Sequence, residues 1–217
     1  MQTLDVFLSR LLPRVPGCPD VLAKQALLDA AIEFCEETQV TQATAVPMNV
    51  VANQAAYTLI LPSQQAISCT LKAWYNDVQL YPVSATNIDS ILAYVSSAGT
   101  ATVETGVPNS FYELSPGVIA VYPVPSASVA TSLSARVATK PTRSATSLED
   151  VLYDDWVDGI CAGAAQRICS IPSMPFTSDL QARAEGVRFW GAVSAAASLS
   201  RRGRVRASIS VRPRSFA

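Results

Sequence analysis

Residues 146–170, TSLEDVLYDDWVDGICAGAAQRICS, decide how the chain is expected to fold. Apolar side chains recur in them at every fourth position, at Leu152, Trp156, Ile160, Ala164 and Ile168. This spacing places them on one face of an α-helix, and Ser147 is a suitable residue to cap its first turn. The pattern therefore predicts one amphipathic helix that must bury a face against other helices.

A second helix is predicted after the proline-containing loop IPSMPFT. Ser178 and Gln181 have the spacing of a capping box at its start. Its expected apolar side carries Leu180, Ala184, Val187, Trp190, Val193 and Ala197. Its last part, GAVSAAASLS, is crowded with small residues. Such a surface lets a neighbouring helix approach closely, in the same subunit or in the next one.

The N-terminal third is also predicted to be helical. Residues 3–12 form a short apolar helix that ends near Pro13 and Pro16. A longer helix is expected over residues 19–38, because Pro19 suits a first helical turn. Its apolar face carries Leu27, Leu28, Ala31, Ile32, Phe34 and Cys35.

The middle of the chain has a different character, rich in Val, Thr, Ser, Tyr and Pro. Its strands are predicted at YTLILP (57–62), AISCTLKAWYN (66–76), VQLYPV (78–83), SFYEL (110–114), GVIAVYPVP (117–125) and SVATSLSARVAT (128–139). A short helix is expected at 85–95, and tight turns are expected at Asn76-Asp77 and at Ser115-Pro116-Gly117. The fold class is therefore α+β: residues 1–40 and 145–203 form a helical bundle, 41–144 form an inserted β-rich lobe, and 204–217 form an extended C-terminal arm.

Charge is distributed unevenly along the 217 residues. The net charge is −1, but the last 17 residues carry six arginines and no acid, which leaves ten basic residues against all 17 acidic residues in the rest. An acidic body with a basic arm favours an arm that docks on an acidic partner. No apolar stretch approaches the length of a membrane span, so no membrane contact is expected.

The sequence contains no strong catalytic or cofactor-binding motif. It has no histidine, no phosphate-binding glycine loop and no CxxC pair among its five cysteines, which are expected to be reduced core residues. The acidic cluster of Glu149, Asp150, Asp154, Asp155 and Asp158 is the best candidate site. Acids in the first turns of a helix also complement its positive end, and this structural or interface role is favoured. No enzyme activity, cofactor or metal is therefore expected.

The arm is the feature that ordinary helix electrostatics does not explain. Arg201, Arg202, Arg204 and Arg206 suit the negative end of a helix, but two more arginines follow the strand-like segment ASISV, residues 207–211. Such a segment can add to the sheet edge of another protein or lie in a groove. The candidate docking residues of the arm are Arg201, Arg202, Arg204, Arg206, Ile209, Val211, Arg212, Arg214 and Phe216.

Three stretches together resemble the head-to-tail adaptor proteins of tailed bacteriophages, the group that includes the tail tubular protein A and gateway proteins. They are LLPRVPGCPDVLAKQALLDAAIEFCEETQ (11–39), GVPNSFYELSPGVIAVYPVP (106–125) and LEDVLYDDWVDGICAGAAQRICSIPSMPFTSDLQARAEGVRFWGAV (148–193). The second is similar to a G-x-P-x-x-[YF]…L-x-[LV]-x-P-x-P hairpin in such proteins. None of the three is a catalytic signature.

This resemblance implies a structural connector in the neck of a virion, made in the cytoplasm of a bacterial host. Its copies would form a homo-oligomeric ring, commonly dodecameric, between the portal protein and a downstream nozzle or tail tube protein. Double-stranded DNA would pass through the channel without sequence-specific binding. The helices would build the ring, with Asp154, Asp155, Asp158, Arg188, Ala192 and Ala196 as the expected subunit interface, and the arm would dock on the portal.

Two other functions stay open at this point. A nucleic-acid-binding module would grip phosphates with the basic arm, and its affinity would fall steeply with salt. A metal-dependent enzyme would use Asp154 and Asp158, which share a helix face.

Overall fold

A computed structural model describes residues 1–61, 65–84 and 104–202, and the fold is mixed α+β as the sequence predicts. The chain divides into two compact units. The helical unit consists of the described residues of Met1–Val40 and Ala145–Ala217, and the β unit of those of Thr41–Ser144. No helix in the described part of the chain is long and apolar enough to cross a membrane.

Five α-helices and one 3₁₀ turn make up the described helical unit. Their bounds are α1, Leu4–Leu11; the 3₁₀ turn, Leu12–Arg14; α2, Asp20–Thr38; α3, Asp150–Asp154; α4, Val157–Cys169; and α5, Asp179–Arg202. Pro19 stands immediately before α2, and Gln39 follows it in the left-handed conformation. The predicted N-terminal helices are therefore confirmed.

The segment that was expected to form one helix is divided in two. Ser147 does not cap a helix: Ser147–Leu148 form strand β13, which pairs antiparallel with β1, Gln2–Thr3. The terminal amino group of Met1 lies 2.6 Å from the Asp150 carboxylate, next to this pair. Ser147 is therefore extended because it pairs with the N-terminal strand. That strand lies far away in sequence, so the residues around Ser147 carry no signal for this pairing.

The break between α3 and α4 falls at Trp156, whose backbone leaves the helical conformation with φ −130° and ψ 10°. Its ring lies 5.6 Å from the ring of Phe34 on α2. The expected apolar stripe survives the break, because Leu152, Ile160, Ala164 and Ile168 are all buried. The periodicity gave the correct buried face and missed the interruption.

Helix α4 lies at the centre of the helical unit and packs against α1, α2 and α5. Two glycines allow α5 to approach it closely. A Cβ on Gly159 would lie 2.5 Å from the Cβ of Ala192, and one on Gly163 would lie 2.6 Å from the ring of Phe189. Real Cβ atoms essentially never approach so closely, so both positions require glycine at this packing distance.

The predicted apolar side of α5 is wrong. Its buried residues are Ala182, Glu185, Gly186, Phe189, Val193 and Ala196. Of the predicted set, only Val193 is buried, Ala197 is half-buried, and Leu180, Ala184, Val187 and Trp190 are exposed. Helix α5 has apolar residues on both sides. The side that carries Phe189 is buried, because the glycines of α4 leave room for its side chains.

The β unit is built of short antiparallel strands with two parallel exceptions. Its described strands are β2 (Gln42–Thr44), β3 (Met48–Val50), β4 (Ala56–Thr58), β5 (Ala66–Tyr75), β6 (Val78–Gln79), β7 (Tyr81–Pro82), β8 (Thr105–Gly106), β9 (Ser110–Ser115), β10 (Val118–Tyr122), β11 (Val124–Pro125) and β12 (Val129–Lys140). One sheet has the strand order β2-β12-β5-β6, and β3 also pairs with β12 in this sheet. A second sheet has the strand order β4-β10-β9-β7. The third is the parallel pair β11-β8, and β7 also pairs parallel with β9.

Two turns of the β unit match the sequence expectation. Asn76 and Asp77, both at positive φ, connect β5 to β6, and Gly117 at φ 82° lies in the turn between β9 and β10. Of the predicted strand 57–62, the described residues 57–61 contribute to a strand only in β4, and the stretch 78–83 is divided into β6 and β7. The predicted helix at 85–95 lies outside the described residues.

A carboxylate links two sheets inside the β unit. Glu113 on β9 accepts a hydrogen bond from the Thr70 amide on β5 at 3.0 Å and another from the Gly117 amide at 3.2 Å. The β unit also contains an apolar core that includes Leu80, Ile119 and Leu133. The β unit therefore has its own core and its own polar ties.

Candidate functional site

The three aspartates of the expected interface lie where α3 meets α4. Asp154 ends α3, Asp155 follows it, and Asp158 stands in the first turn of α4. All three are exposed. Among the described residues, no group of three or more His, Cys, Asp or Glu is arranged so that it could hold a metal ion.

Asp158 belongs to an ionic network that the sequence did not reveal. Arg14 of the 3₁₀ turn donates from Nη2 to Asp158 at 2.9 Å and from Nη1 to Glu185 at 3.1 Å. Arg188 donates to the second oxygen of Glu185 at 2.9 Å. Two guanidinium groups therefore hold one carboxylate, which is buried within the helical unit. Burying a charge is costly unless such partners compensate for it.

A hydrogen bond from the Gln181 side chain also connects the 3₁₀ turn to α5. The Gln181 side chain donates to the backbone carbonyl of Arg14. The backbone N–H of Gln181 donates to the Ser178 hydroxyl at 3.3 Å, which is the N-cap hydrogen bond of α5. The N-cap role of Ser178 is therefore confirmed, whereas the Gln181 side chain bonds to Arg14. Sequence spacing suggested the cap and gave no signal for Arg14, which lies 167 positions away.

Ala192 and Ala196, also expected at the subunit interface, have their contacts inside the chain. Ala196 is fully buried, and Ala192 packs against Gly159 of α4. Ala196 therefore lies in the core, whereas Ala192 is half-buried, and the interface role of both stays a prediction. Arg188 is exposed, although one of its nitrogens is engaged by Glu185. Of the residues predicted for the subunit interface, the three aspartates and Arg188 are exposed, Ala192 is half-buried and Ala196 is buried.

Only the beginning of the predicted docking arm is described. Arg201 and Arg202 are the last residues of α5, and both are exposed. The Ser200 hydroxyl donates to the carbonyl of Gln39 at 3.1 Å, which ties this end of α5 to the end of α2. Arg204, Arg206, Ile209, Val211, Arg212, Arg214 and Phe216 lie outside the described residues, and their docking role stays a prediction.

The exposed side of α5 is the feature that sequence reasoning misassigned. Leu180, Ala184, Val187 and Gly191 follow one another at spacings of four, three and four, so they lie on one face. We call this set the α5 outer strip. The exposed arginines Arg183 and Arg188 flank it. The apolar periodicity predicted that these residues of α5 are buried, but they lie on the surface of the helical unit.

The buried cysteines are poor nucleophiles in this environment. Burial raises the pKa of Cys161 to about 12, and burial also raises the pKa of Cys169. Both thiols are therefore protonated at neutral pH, and the thiolate is the nucleophilic form. Their role in the helical unit is packing, as predicted from their apolar surroundings.

Comparison with protein families identifies the chain as a whole. The family model described as "SU10 adaptor protein" matches residues 3–214, nearly the full length of both units. The chain belongs to the SU10 adaptor protein family. A comparison with curated proteins gave no match.

Membership of the SU10 adaptor family supports the resemblance to phage adaptors at the level of the family. The family is one of structural bacteriophage proteins, not known as enzymes, that interact with head or tail components in the neck of the virion. For a protein that acts by contact with other virion components, exposed surfaces are candidate functional sites. The α5 outer strip, the acidic α3–α4 edge and the arm are therefore the candidate functional surfaces.

Proposed function

We propose that this SU10 adaptor forms a homo-oligomeric, commonly dodecameric ring between the portal protein and a downstream tail protein, either a nozzle or a tail tube protein. The observation that carries the proposal is the family match over residues 3–214. The resemblance of three separate stretches to tail tubular protein A and gateway proteins supports the same subtype. Exposed apolar residues on α5 support assembly, because they leave water only when a neighbour covers them.

The proposal assigns one role to each part of the chain. A helical bundle of residues 1–40 and 145–203 builds the ring, and the β-rich domain inserted at 41–144 contacts the downstream tail protein. The arm, residues 204–217, docks on the portal. The six arginines of the last 17 residues support this role, because a basic segment gains most from an acidic or groove-shaped partner.

In this proposal DNA passes through the ring without being gripped. Outside the arm, acidic residues outnumber basic ones, which limits attraction to phosphates. A channel lined with many free basic groups would bind DNA tightly at any sequence, since phosphate contacts are independent of base identity. An acidic body is therefore compatible with movement of DNA through the channel.

The mass of the purified protein, alone and after mixing with its portal, tests the ring proposal. We expect a discrete complex of many adaptor copies on one portal, measured by native mass spectrometry or light scattering. A single copy in both samples, with no portal association, would contradict the proposal.

The nucleic-acid-binding module is the second candidate, favoured by the arginines of the arm and of α5. It predicts binding of bare DNA at low salt that falls steeply at moderate salt. A filter-binding measurement at the two salt concentrations decides between the candidates. Absence of binding at low salt would eliminate this alternative.

A further inference from the structure

The sheet β2-β12-β5-β6 of the β unit has one buried face and one outer face. Its buried face carries members of the apolar cluster: Ala73, Tyr75, Leu133 and Ala135. Side chains alternate between the two faces of a sheet, so Lys72 and Trp74 on β5 lie on the outer face. The strand register places six residues there in two neighbouring rows, Thr44, Arg136 and Lys72 in one row and Ser134, Trp74 and Gln79 in the next. We call these six residues the basic sheet face.

The two cations of the basic sheet face lie directly opposite each other on adjacent strands. Lys72 on β5 is the cross-strand partner of Arg136 on β12, although the two are far apart in sequence. Directly opposite residues have Cβ atoms about 4.5–5.5 Å apart, and like charges in this arrangement weaken a sheet. Both side chains are exposed, and neither forms an ion pair or a side-chain hydrogen bond within the described part of the chain. Their positive charge is therefore available to a partner.

The other residues of the basic sheet face contribute hydrogen-bond donors and one aromatic ring. The indole N–H of Trp74 only donates, as Lys and Arg do, and the Thr, Ser and Gln side chains each offer a donor as well. None of the six residues is acidic. Trp74 is half-buried, so part of its ring offers apolar surface beside the cations. The face therefore fits a partner that brings carboxylate oxygens together with an apolar side chain.

We propose that the basic sheet face binds a segment of the downstream tail protein that carries at least one carboxylate and an apolar side chain. The carboxylate binds at Lys72 and Arg136, where a planar guanidinium suits two-point contact with it. Trp and Arg are also among the residue types that contribute most to protein–protein contacts. The inference rests on the proposed function, which assigns the β-rich domain to this partner, and it adds the surface and its chemistry.

Other occupants fit the basic sheet face less well. Acids of a second copy are partly committed within their own chain, since Asp150 pairs with the terminal amino group and Asp158 pairs with Arg14. The C-terminal arm is itself basic and would be repelled. DNA would meet two cations in each copy, so the contact would neutralise about two phosphates and leave the Trp74 ring without an apolar partner.

A single charge reversal separates a binding role from a structural one. Lys72→Glu replaces a repulsive cross-strand pair by an attractive one, so the unfolding midpoint should stay equal or rise. The affinity for the purified downstream tail protein should nevertheless fall by about tenfold or more, because the partner's carboxylate would then face a carboxylate. Thermal unfolding measures the first quantity, and surface plasmon resonance with the adaptor bound to its portal measures the second.

The matched control is Arg143→Glu, because Arg143 is an exposed basic residue of the β unit outside the basic sheet face. It should bind the tail protein as the unchanged chain does. The double variant Lys72→Glu with Arg136→Glu should lose more of the tail binding and keep its attachment to the portal, since the proposed portal contact lies in the arm. Tail binding of the double variant equal to that of the unchanged chain, or an equal loss in the control, would overturn the inference.

Two further outcomes concern the proposed function and the alternative occupant. If the unchanged adaptor does not bind the downstream tail protein, with or without portal, the role assigned to the β-rich domain and this inference fail together. If the double variant binds the tail protein normally and instead loses binding of short double-stranded DNA at low salt, the face is a DNA-binding surface and the inference is wrong.

Discussion

At the scale of single residues, Glu185 and Arg14 determine how the last helix is held. Glu185 is buried, yet it accepts hydrogen bonds from Arg14 and Arg188. Arg14 also reaches Asp158, so one guanidinium connects the 3₁₀ turn to α4 and α5. This network ties the Glu185 side of α5 to the rest of the helical unit.

Replacement of Arg14 by Met tests this network. The substitution keeps most of the aliphatic volume but leaves buried Glu185 with one cation instead of two, which should lower the free energy of unfolding by about 3 kcal/mol. Urea unfolding followed by circular dichroism measures the loss. Arg10→Met is the matched control, because Arg10 is an exposed residue of α1. An equal change in both variants would show that the network adds no stability.

At the scale of elements, the contact between α4 and α5 is set by close approach. Gly159 and Gly163 give α5 room for Ala192 and Phe189, and this packing buries the face opposite to the one that apolar periodicity favours. The break at Trp156 is a second case. Its ring packs against Phe34, a contact across the chain that no local pattern encodes.

A pair of glycine substitutions separates packing from helix propensity. Gly163→Ala places a methyl group against the fully buried ring of Phe189 and should destabilise the protein by about 1–3 kcal/mol. Gly191→Ala adds the same group in open space and should stabilise α5 by about 0.5–1 kcal/mol. Thermal unfolding of both variants provides the measurement. A stabilising Gly163→Ala would mean that α4 and α5 are not packed this closely.

The elements themselves were largely predictable, and their faces were only partly so. Leu152 on α3 and Ile160 and Ile168 on α4 were assigned correctly, because one stripe of apolar side chains at helical spacing runs through both helices. Leu180 and Val187 were assigned to the core because α5 offers two apolar sides. The candidate site was also only partly predictable. The exposed aspartates were identified from the local cluster of acidic residues. The ionic network of Glu185 was not predicted, because its partner Arg14 is distant in sequence.

At the scale of the whole molecule, the chain has two compact units, and in sequence the residues of the β unit, Thr41–Ser144, separate the two segments of the helical unit. Each unit has its own buried cluster, so each can keep its packing while its surfaces bind different partners. The family assignment makes those partners head or tail components of a phage. The proposed division of roles is a hypothesis at this scale.

Charge reversal in the arm tests the docking role. Arg212→Glu with Arg214→Glu should leave folding unchanged and weaken attachment to the portal, since the proposed contact depends on positive charge. Sedimentation of adaptor with purified portal measures the attachment. The control is Lys72→Glu with Arg136→Glu, the same charge change at two exposed cross-strand neighbours of the β unit. Normal portal attachment of the arm variant would contradict the docking role.

The sequence by itself determined the α+β class, most helix positions, the two turns of the β unit and the lack of a recognisable catalytic motif. These properties depend on residues close together in the chain, where periodicity, capping and turn chemistry act. Only the tertiary structure decided the inward face of α5, the pairing of Gln2–Thr3 with Ser147–Leu148 and the burial of Glu185. The physical reason is that each depends on a partner more than a hundred residues away or on the space left by a glycine on another helix.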